Sequence, residues 1–302
     1  MTISPLVSVV IPNFKRVTEL KDCIQSVLEQ TYKNIEILVV DDCSPNIIEI
    51  ENMLKSINDN RITLFKQKKN KGGGAARNKG IIEAEGKYIA LLDSDDSWTE
   101  DNIQMKVELA EKDYFDEDIL IYNQSIVKSK TKSRIGPKRE KGKNELISEY
   151  IFVNGGTIYT PTIFINASLA KKCLFNESYP RHQDMDFIFK IERQGAKFIF
   201  IKKILTIVNW SKGINPINKG WSPEFSIRFL KENYDLMTEK SFAYAYFSLV
   251  IRATGQFVSK KKSLLLFFKN FKSMIAYIDK KILLIYLVKL FLDWRYINAK
   301  VI

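Results

Sequence analysis

One histidine, His182, and three cysteines, Cys23, Cys43 and Cys173, are all the imidazole and thiol that this 302-residue chain contains. The cysteines are odd in number and widely spaced, with neither a CxxC pair nor a zinc spacing. That argues against a disulfide framework and for a reducing cytosol. Long apolar runs are also missing. Leu264–Phe268 and Ile282–Leu292 fall short of the ~20 residues a bilayer-spanning helix needs, and Lys289 interrupts the second. The opening MTISPLVSVVIPNF lacks a basic leader before an apolar stretch, so it reads as a first strand and not as a signal peptide. There is no internal repeat, no P-loop and no Ser/His/Asp arrangement that would suggest a covalent nucleophile.

The composition, 45% hydrophobic and 27% charged, is that of an ordinary globular protein, long enough for one large domain with an appendage or for two small ones. The net charge of +12 is unevenly placed. Residues 240–302 carry twelve Lys/Arg against two acids, Asp279 and Asp293, which leaves the rest of the chain near balance. Basic residues interleaved with apolar runs suit an anionic membrane surface better than a nucleic-acid groove. A solvated helical face is the competing reading.

Strand and helix signals alternate over the first hundred residues. Leu6–Ile11 is a β-branched run ended by Pro12, and Leu20, Cys23, Ile24, Val27 and Leu28 share one face of a helix over Thr18–Gln30. Strands are expected at Ile35–Val40, Ile62–Phe65 and Tyr88–Leu92, with helices at Glu49–Ile57 and Ala75–Glu83. This alternation predicts a parallel, doubly wound sheet whose ligand lies beyond the strands' carboxyl ends. Lys128–Lys143, with eight Lys/Arg and the turn Gly136-Pro137, reads as a mobile basic loop. Beyond it, Thr160–Ile165, Lys197–Ile201 and Leu205–Trp210 read as strands, Asp184–Gln194 as a helix stopped by Gly195, and the chain from Ser222 as mainly helical.

The acidic motifs stand where that sheet would present them. Asp93, Asp95 and Asp96 follow an apolar strand, and carboxylates so close repel unless they are solvated or share a cation. A hard divalent ion such as Mg²⁺ or Mn²⁺ answers this with one or two carboxylates plus substrate phosphates. An acidic helix cap is the plain alternative. Asp41-Asp42 closes a second strand, suited either to accepting from a nucleobase or ribose or to an Asx turn before Pro45. Gly72-Gly73-Gly74 opens a helix whose N-terminus favours anions, or is simply a turn. In His182-Gln183-Asp184-Met185-Asp186 both aspartates cannot cap one helix, so one is available for other work.

Taken in order, VSVVIPNFKR, NIEILVVDDCSP, NKGGGAARNKG, GKYIALLDSDD and HQDMDF resemble glycosyltransferase family 2 over about residues 5–210. The resemblance implies a GT-A fold: a Rossmann-like, mostly parallel twisted sheet flanked by helices. The catalytic domain would span 1–221, with a nucleotide-binding half to about 100 and an acceptor half after it, followed by a basic helical region over 222–302. It implies a UDP-sugar donor held by Pro12, Phe14, Asp41 or Asp42, Gly73, Arg77 and Asp93. A divalent metal would sit on Asp95 and Asp93, with Asp96 and His182 as further candidates. Asp184 would be the catalytic base of an inverting hexosyl transfer, with Gln183 and Asp186 on the acceptor side. Three positions depart from the family pattern: Phe14 for tyrosine, Cys43 for glycine and Gln183 for glutamate. The acceptor is expected to be a saccharide, lipid-linked, in bacterial surface-polysaccharide assembly, with the enzyme peripheral on the inner face of the cell membrane. The rival readings are a metal-dependent nucleotidyltransferase and a basic nucleic-acid-binding protein. No nucleic-acid partner is expected.

Overall fold

β-Branched runs buried along their length set the centre of the sheet. Val7–Asn13 (β1) is buried at every position and Ile35–Asp41 (β2) at all but one. The computed structural model describes residues 4–129, 131–210 and 220–291. After β1 and β2, with helix α1 (Thr18–Leu28) between them, come α2 (Ile47–Ile57), β3 (Ile62–Lys66), α3 (Gly73–Glu83), β4 (Tyr88–Leu91), β5 (Ser97–Trp98) and α4 (Asn102–Asp113). The chain continues through β6 (Ile119–Ser129), β7 (Ser133–Gly136), α5 (Ile147–Phe152), β8 (Phe164–Asn166), α6 (Ala167–Cys173), α7 (Gln183–Arg193) and β9 (Lys197–Trp210). The rest is helical: α8 (Pro223–Glu232), α9 (Glu239–Ala245), a π-helical stretch Tyr246–Arg252, α10 (Ala253–Phe257), α11 (Lys260–Lys269), α12 (Phe271–Tyr277) and α13 (Lys280–Phe291).

The sheet order is β3-β2-β1-β4-β8-β6-β9-β5, with β7 paired to β6. The parallel order holds for β3, β2, β1 and β4; beyond β4 the sheet is mixed, with β8 antiparallel to both β4 and β6. The chain builds outward from β1 to β3 and then returns to β1's other side with β4. The switch point at which α/β sheets bind ligands therefore lies between β1 and β4. The chain also runs tightly there: a Cβ added to Gly80 of α3 would meet Val10 Cγ1 of β1 at 2.4 Å, so only glycine lets this helix lie so close to the strand.

Several elements differ from the sequence expectation, each for a local reason. β1 runs through Pro12 to Asn13, where a stop was expected. Val10 faces β4, accepting from Leu92 N–H, whereas Asn13 faces β2, accepting from Asp42 N–H. By alternation the absent Pro12 donor faces β4, which has already ended, so no ladder bond is lost. Thr160–Ile165 is not one strand: Pro161 sits in a 3₁₀ turn over Thr160–Thr162, and only Phe164–Asn166 joins the sheet. The basic stretch 128–143 is partly a hairpin, with Ile126 opposite Ile135 and Val127 opposite Arg134. The two strands expected over 197–210 are one, because β9 pairs with β6 from Ile119/Lys197 to Ser129/Trp210 across an irregularity near Gln124.

By internal contacts the chain divides into two units, Met1–Lys141 with Gly156–Gly213, and Gly142–Gly155 with Ile214–Ile302. The first holds the sheet and a core built on Val9, Ile11, Ile37, Val39, Ala90 and Leu92. The second is helical around Phe247, Ile251, Phe267, Met274, Leu283 and Tyr286. Helix α5 lies mid-chain yet belongs to this second unit: Ser241 Oγ donates to Ser148 Oγ (3.1 Å) and Thr238 Oγ1 to Glu149 Oε1 (2.9 Å).

A lysine is sealed inside the first unit. Lys106 of α4 is fully buried, donates from Nζ to the Thr162 carbonyl (3.0 Å) and lies 5.8 Å from the Trp98 ring centre. Burial pushes its pKa down to about 7. The unfolded chain keeps this proton to about pH 10.4, so between the two values the unfolded state binds more protons and stability rises with pH. Lys106→Met should flatten that rise when urea midpoints are measured from pH 7 to 10. A slope identical to wild type would show that this amine is not the cause.

Candidate active site

The carboxyl ends of β1 and β2 are tied together by two buried aspartates. Asp41 accepts from Ser44 N–H (2.8 Å) and Ser44 Oγ (2.6 Å), with Asn13 Nδ2 at 3.4 Å. Ser44 Oγ in turn accepts from the Lys15 N–H at 2.7 Å. Asp42 accepts from the backbone N–H groups of Lys71 (2.8 Å) and Gly72 (2.7 Å), which pins the glycine loop to the end of β2. Pro12 is buried in β1, and Phe14, 38% exposed, stands just beyond that strand with Lys15 Nζ 4.8 Å from its ring centre. Phe14 thus stands partly exposed one residue beyond Asn13, which pairs with Asp41.

The turn after β4 concentrates negative charge. Asp93 accepts from Arg77 Nη2, and Asp95 pairs with Arg16 Nη2 at 2.5 Å while Arg16 Nη1 donates to Ser94 Oγ at 3.1 Å. Asp96 is buried and accepts from Asn209 N–H (2.8 Å), while Asn209 Nδ2 donates to the Asp95 carbonyl (2.8 Å), which ties the turn to β9. Burial first, and then Asp93 and Asp95, push the Asp96 pKa up to about 8. The buried Cys23 thiol is raised as well, by burial and then by the same three aspartates. Arg77 Nε is buried and makes no hydrogen bond.

Helices α3 and α7 close the arrangement. A Cβ on Gly74 would stand 3.0 Å from Gln183 Cδ, so the glycine loop packs directly on the start of α7. Gln183 Nε2 donates back to the Tyr179 carbonyl. Asp184 is the second residue of α7; the N-cap position belongs to His182, in left-handed conformation at φ 58°. Asp184 Oδ1 accepts from Met185 N–H (3.0 Å), and desolvation raises its pKa, offset in part by Arg77 and reinforced by Asp93. A carboxylate from α7, an arginine from α3 and a carboxylate from the β4 turn therefore share one electrostatic neighbourhood.

Asp186 is buried with Oδ2 2.8 Å from Lys190 Nζ, at ion-pair distance though not in hydrogen-bond geometry, so its charge is engaged within its own helix. Burial, and then Arg181, lower the His182 pKa to about 4, so it is neutral at pH 7. Among the described residues no three His, Cys, Asp or Glu side chains converge in a metal-holding group. The hard oxygens of Asp93 and Asp95 nevertheless fit a divalent cation that takes its remaining ligands from phosphate and water. Arg16, Ser94 and Asn209 went unassigned in the sequence because their partners lie far away in the chain, and Ser44 although it bonds Asp41 three residues earlier.

Both Asp42 oxygens are taken by backbone donors, so Asp42→Asn must turn an amide NH₂ toward one N–H. We expect a loss of about 1–3 kcal/mol in urea unfolding, the scale of one unsatisfied buried group. A change below about 0.5 kcal/mol, within the ordinary surface range, would contradict this anchoring role.

Comparison with known proteins agrees with the geometry. The profile described as glycosyl transferase family 2 matches residues 8–174, more than half of the chain. The amylovoran biosynthesis glycosyltransferase AmsB of Erwinia amylovora is 30% identical over 251 residues, 81% of this chain and 83% of its own. In structure, S. aureus TarS 1-349 in complex with UDP-GlcNAc superposes with a TM-score of 0.63 at 17% identity, covering 90% of this chain and 89% of that one. The mannosyltransferase PcManGT of Pyrobaculum calidifontis, in complex with GDP-Man and Mn²⁺, gives a TM-score of 0.57 at 12% identity, with 91% and 81% covered. Those two likenesses concern the fold, a GT-A sheet with a helical C-terminal region. With the ordered motifs, the profile match and the relative in agreement, the chain belongs to glycosyltransferase family 2.

Proposed function

We propose that the protein is an inverting, metal-dependent hexosyltransferase. It moves a sugar from a UDP-sugar to a hydroxyl of a lipid-linked saccharide during assembly of a bacterial surface polysaccharide. The observation that carries this reading is the convergence on one neighbourhood of Asp184 with Arg77 and Asp93. The solved relative bound to UDP-GlcNAc supports the donor, and the amylovoran relative supports the pathway class.

The residues divide the work by position. Phe14 offers its exposed face to the uracil ring, and the loop pinned by Asp42 sets the backbone beside it. Arg77, with its Nε–H unpartnered, binds the diphosphate. Asp93 and Asp95 would hold the divalent cation, which when bound offsets the charge growing on the leaving diphosphate. Asp184 takes the proton of the acceptor hydroxyl as that oxygen attacks the anomeric carbon from the face opposite the leaving group. Desolvation helps here, because a carboxylate whose pKa is raised is a stronger base than free aspartate. Gln183, where the family pattern has an acid, leaves one fewer negative charge beside that base.

Asp184→Asn preserves shape and the bond from Met185 N–H but cannot take the proton. UDP release should fall by ~10²–10⁴-fold. Calorimetric UDP affinity should stay within threefold of wild type. Near-normal turnover in this variant would remove Asp184 from the mechanism.

The helical unit suits a membrane surface. No helix among the described residues is long and apolar enough to cross a bilayer. Yet Leu265, Phe268, Ile275 and Leu284 are exposed among the lysines of residues 260–289. Each basic residue near an anionic surface is worth ~1 kcal/mol and is screened by salt. The protein should therefore float with anionic vesicles at low salt and be partly released at high salt. Equal binding to neutral and anionic vesicles would reject the electrostatic part.

A further inference from the structure

Helix α13 is apolar around most of its circumference, a pattern that belongs to a helix buried on all sides. Among its described side chains Leu283 and Tyr286 are buried, while Ile282, Leu284, Ile285 and Val288 are 39–63% exposed. Between this helix and the segment Phe247–Gln256 lies a cavity of about 210 Å³, lined by Phe247, Ile282, Ile285 and Leu290 together with Arg252 and Lys289. An apolar cavity of about 150 Å³ is enough for a benzene-sized guest. This one therefore has room for the end of a hydrocarbon chain, though not for a whole lipid. Gln256 and Tyr286 add polar atoms to mainly apolar walls, and the Arg252 guanidinium favours a negative charge on whatever is attached to that chain.

We propose that this cavity binds the hydrocarbon chain of an anionic lipid, with Arg252 supplying the counter-charge to its phosphate or diphosphate headgroup. The proposal rests on the lipid-linked reading of the acceptor given above and names the class of lipid that the helical unit would hold. A bare membrane contact uses exposed side chains in general and is insensitive to any one of them. A chain-binding cavity has walls, so it is blocked by filling them. The charge also separates this ligand from a neutral one: a fatty alcohol gains nothing from Arg252, whereas an alkyl phosphate does.

The test is calorimetric titration of the full chain with decyl phosphate below its micelle concentration, with decanol and inorganic phosphate as controls. Decyl phosphate should bind, and Ile285→Trp, which fills the cavity from an exposed position, should weaken it at least tenfold. Arg252→Gln should weaken decyl phosphate roughly tenfold, on the scale of a lost bond to a charged group, and leave decanol unchanged. Circular dichroism and thermal melting of both variants establish that the helical unit remains folded. Decyl phosphate binding that is absent, or that is equal in wild type and a folded Ile285→Trp, overturns the proposal. Inorganic phosphate binding as tightly as decyl phosphate overturns it too, by assigning the charge to a free-phosphate site. UDP-sugar binding is measured in the same preparations. Its absence beside intact decyl phosphate binding would defeat the transferase reading and leave the lipid site standing.

Discussion

Mutual repulsion among Asp93, Asp95 and Asp96 is the constraint on which the first unit's organisation turns. Three carboxylates within four residues are held only because the fold brings opposite charge and donors to them from elsewhere in the chain. Arg16 comes from the end of β1, Arg77 from α3 and the Asn209 N–H from β9. Burial first, and then the neighbouring carboxylates, raise Asp96 to about 8 and hold Cys23 above its usual range.

The same constraint explains the topology around it. The loops after β1, β2 and β4 meet at the switch point of the parallel strands. Asp41 and Asp42 spend their carboxylates on Ser44 and on the N–H groups of Lys71 and Gly72. Their contribution is to fix the backbone of the loops beyond β2. Gly80 and Gly74 then let α3 approach β1 and α7 closely, which carries Arg77 and Asp184 into one neighbourhood.

What could be read from the sequence follows interaction range. Runs such as Ile35–Val40 and the apolar face of Thr18–Gln30 announce themselves through local periodicity, and the structure places β2 and α1 there. β6 escaped notice although Ile119–Tyr122 is a short apolar run bounded by Asp118 and Asn123; its extension to Ser129 through polar residues is set by its partners β7 and β9. α5 reads as part of the first domain until Ser148 and Glu149 meet Ser241 and Thr238. In the site, the carboxylates are visible as motifs, whereas the Arg16–Asp95 pair and the Asn209 clamp exist only once the strands are assembled. Asp186, in the same motif as Asp184, stands beside Lys190 one helical turn on.

The central claim is that the Asp93–Asp96 turn forms a cation-assisted nucleoside-diphosphate site. It is tested most directly by calorimetric titration of UDP, first with Mn²⁺ or Mg²⁺ and then in excess chelator, for wild type and Asp95→Asn. UDP should bind wild type at least tenfold more tightly with the cation, and Asp95→Asn should erase most of that difference. Equal UDP affinity with and without the cation, or a difference unchanged in Asp95→Asn, would contradict the account.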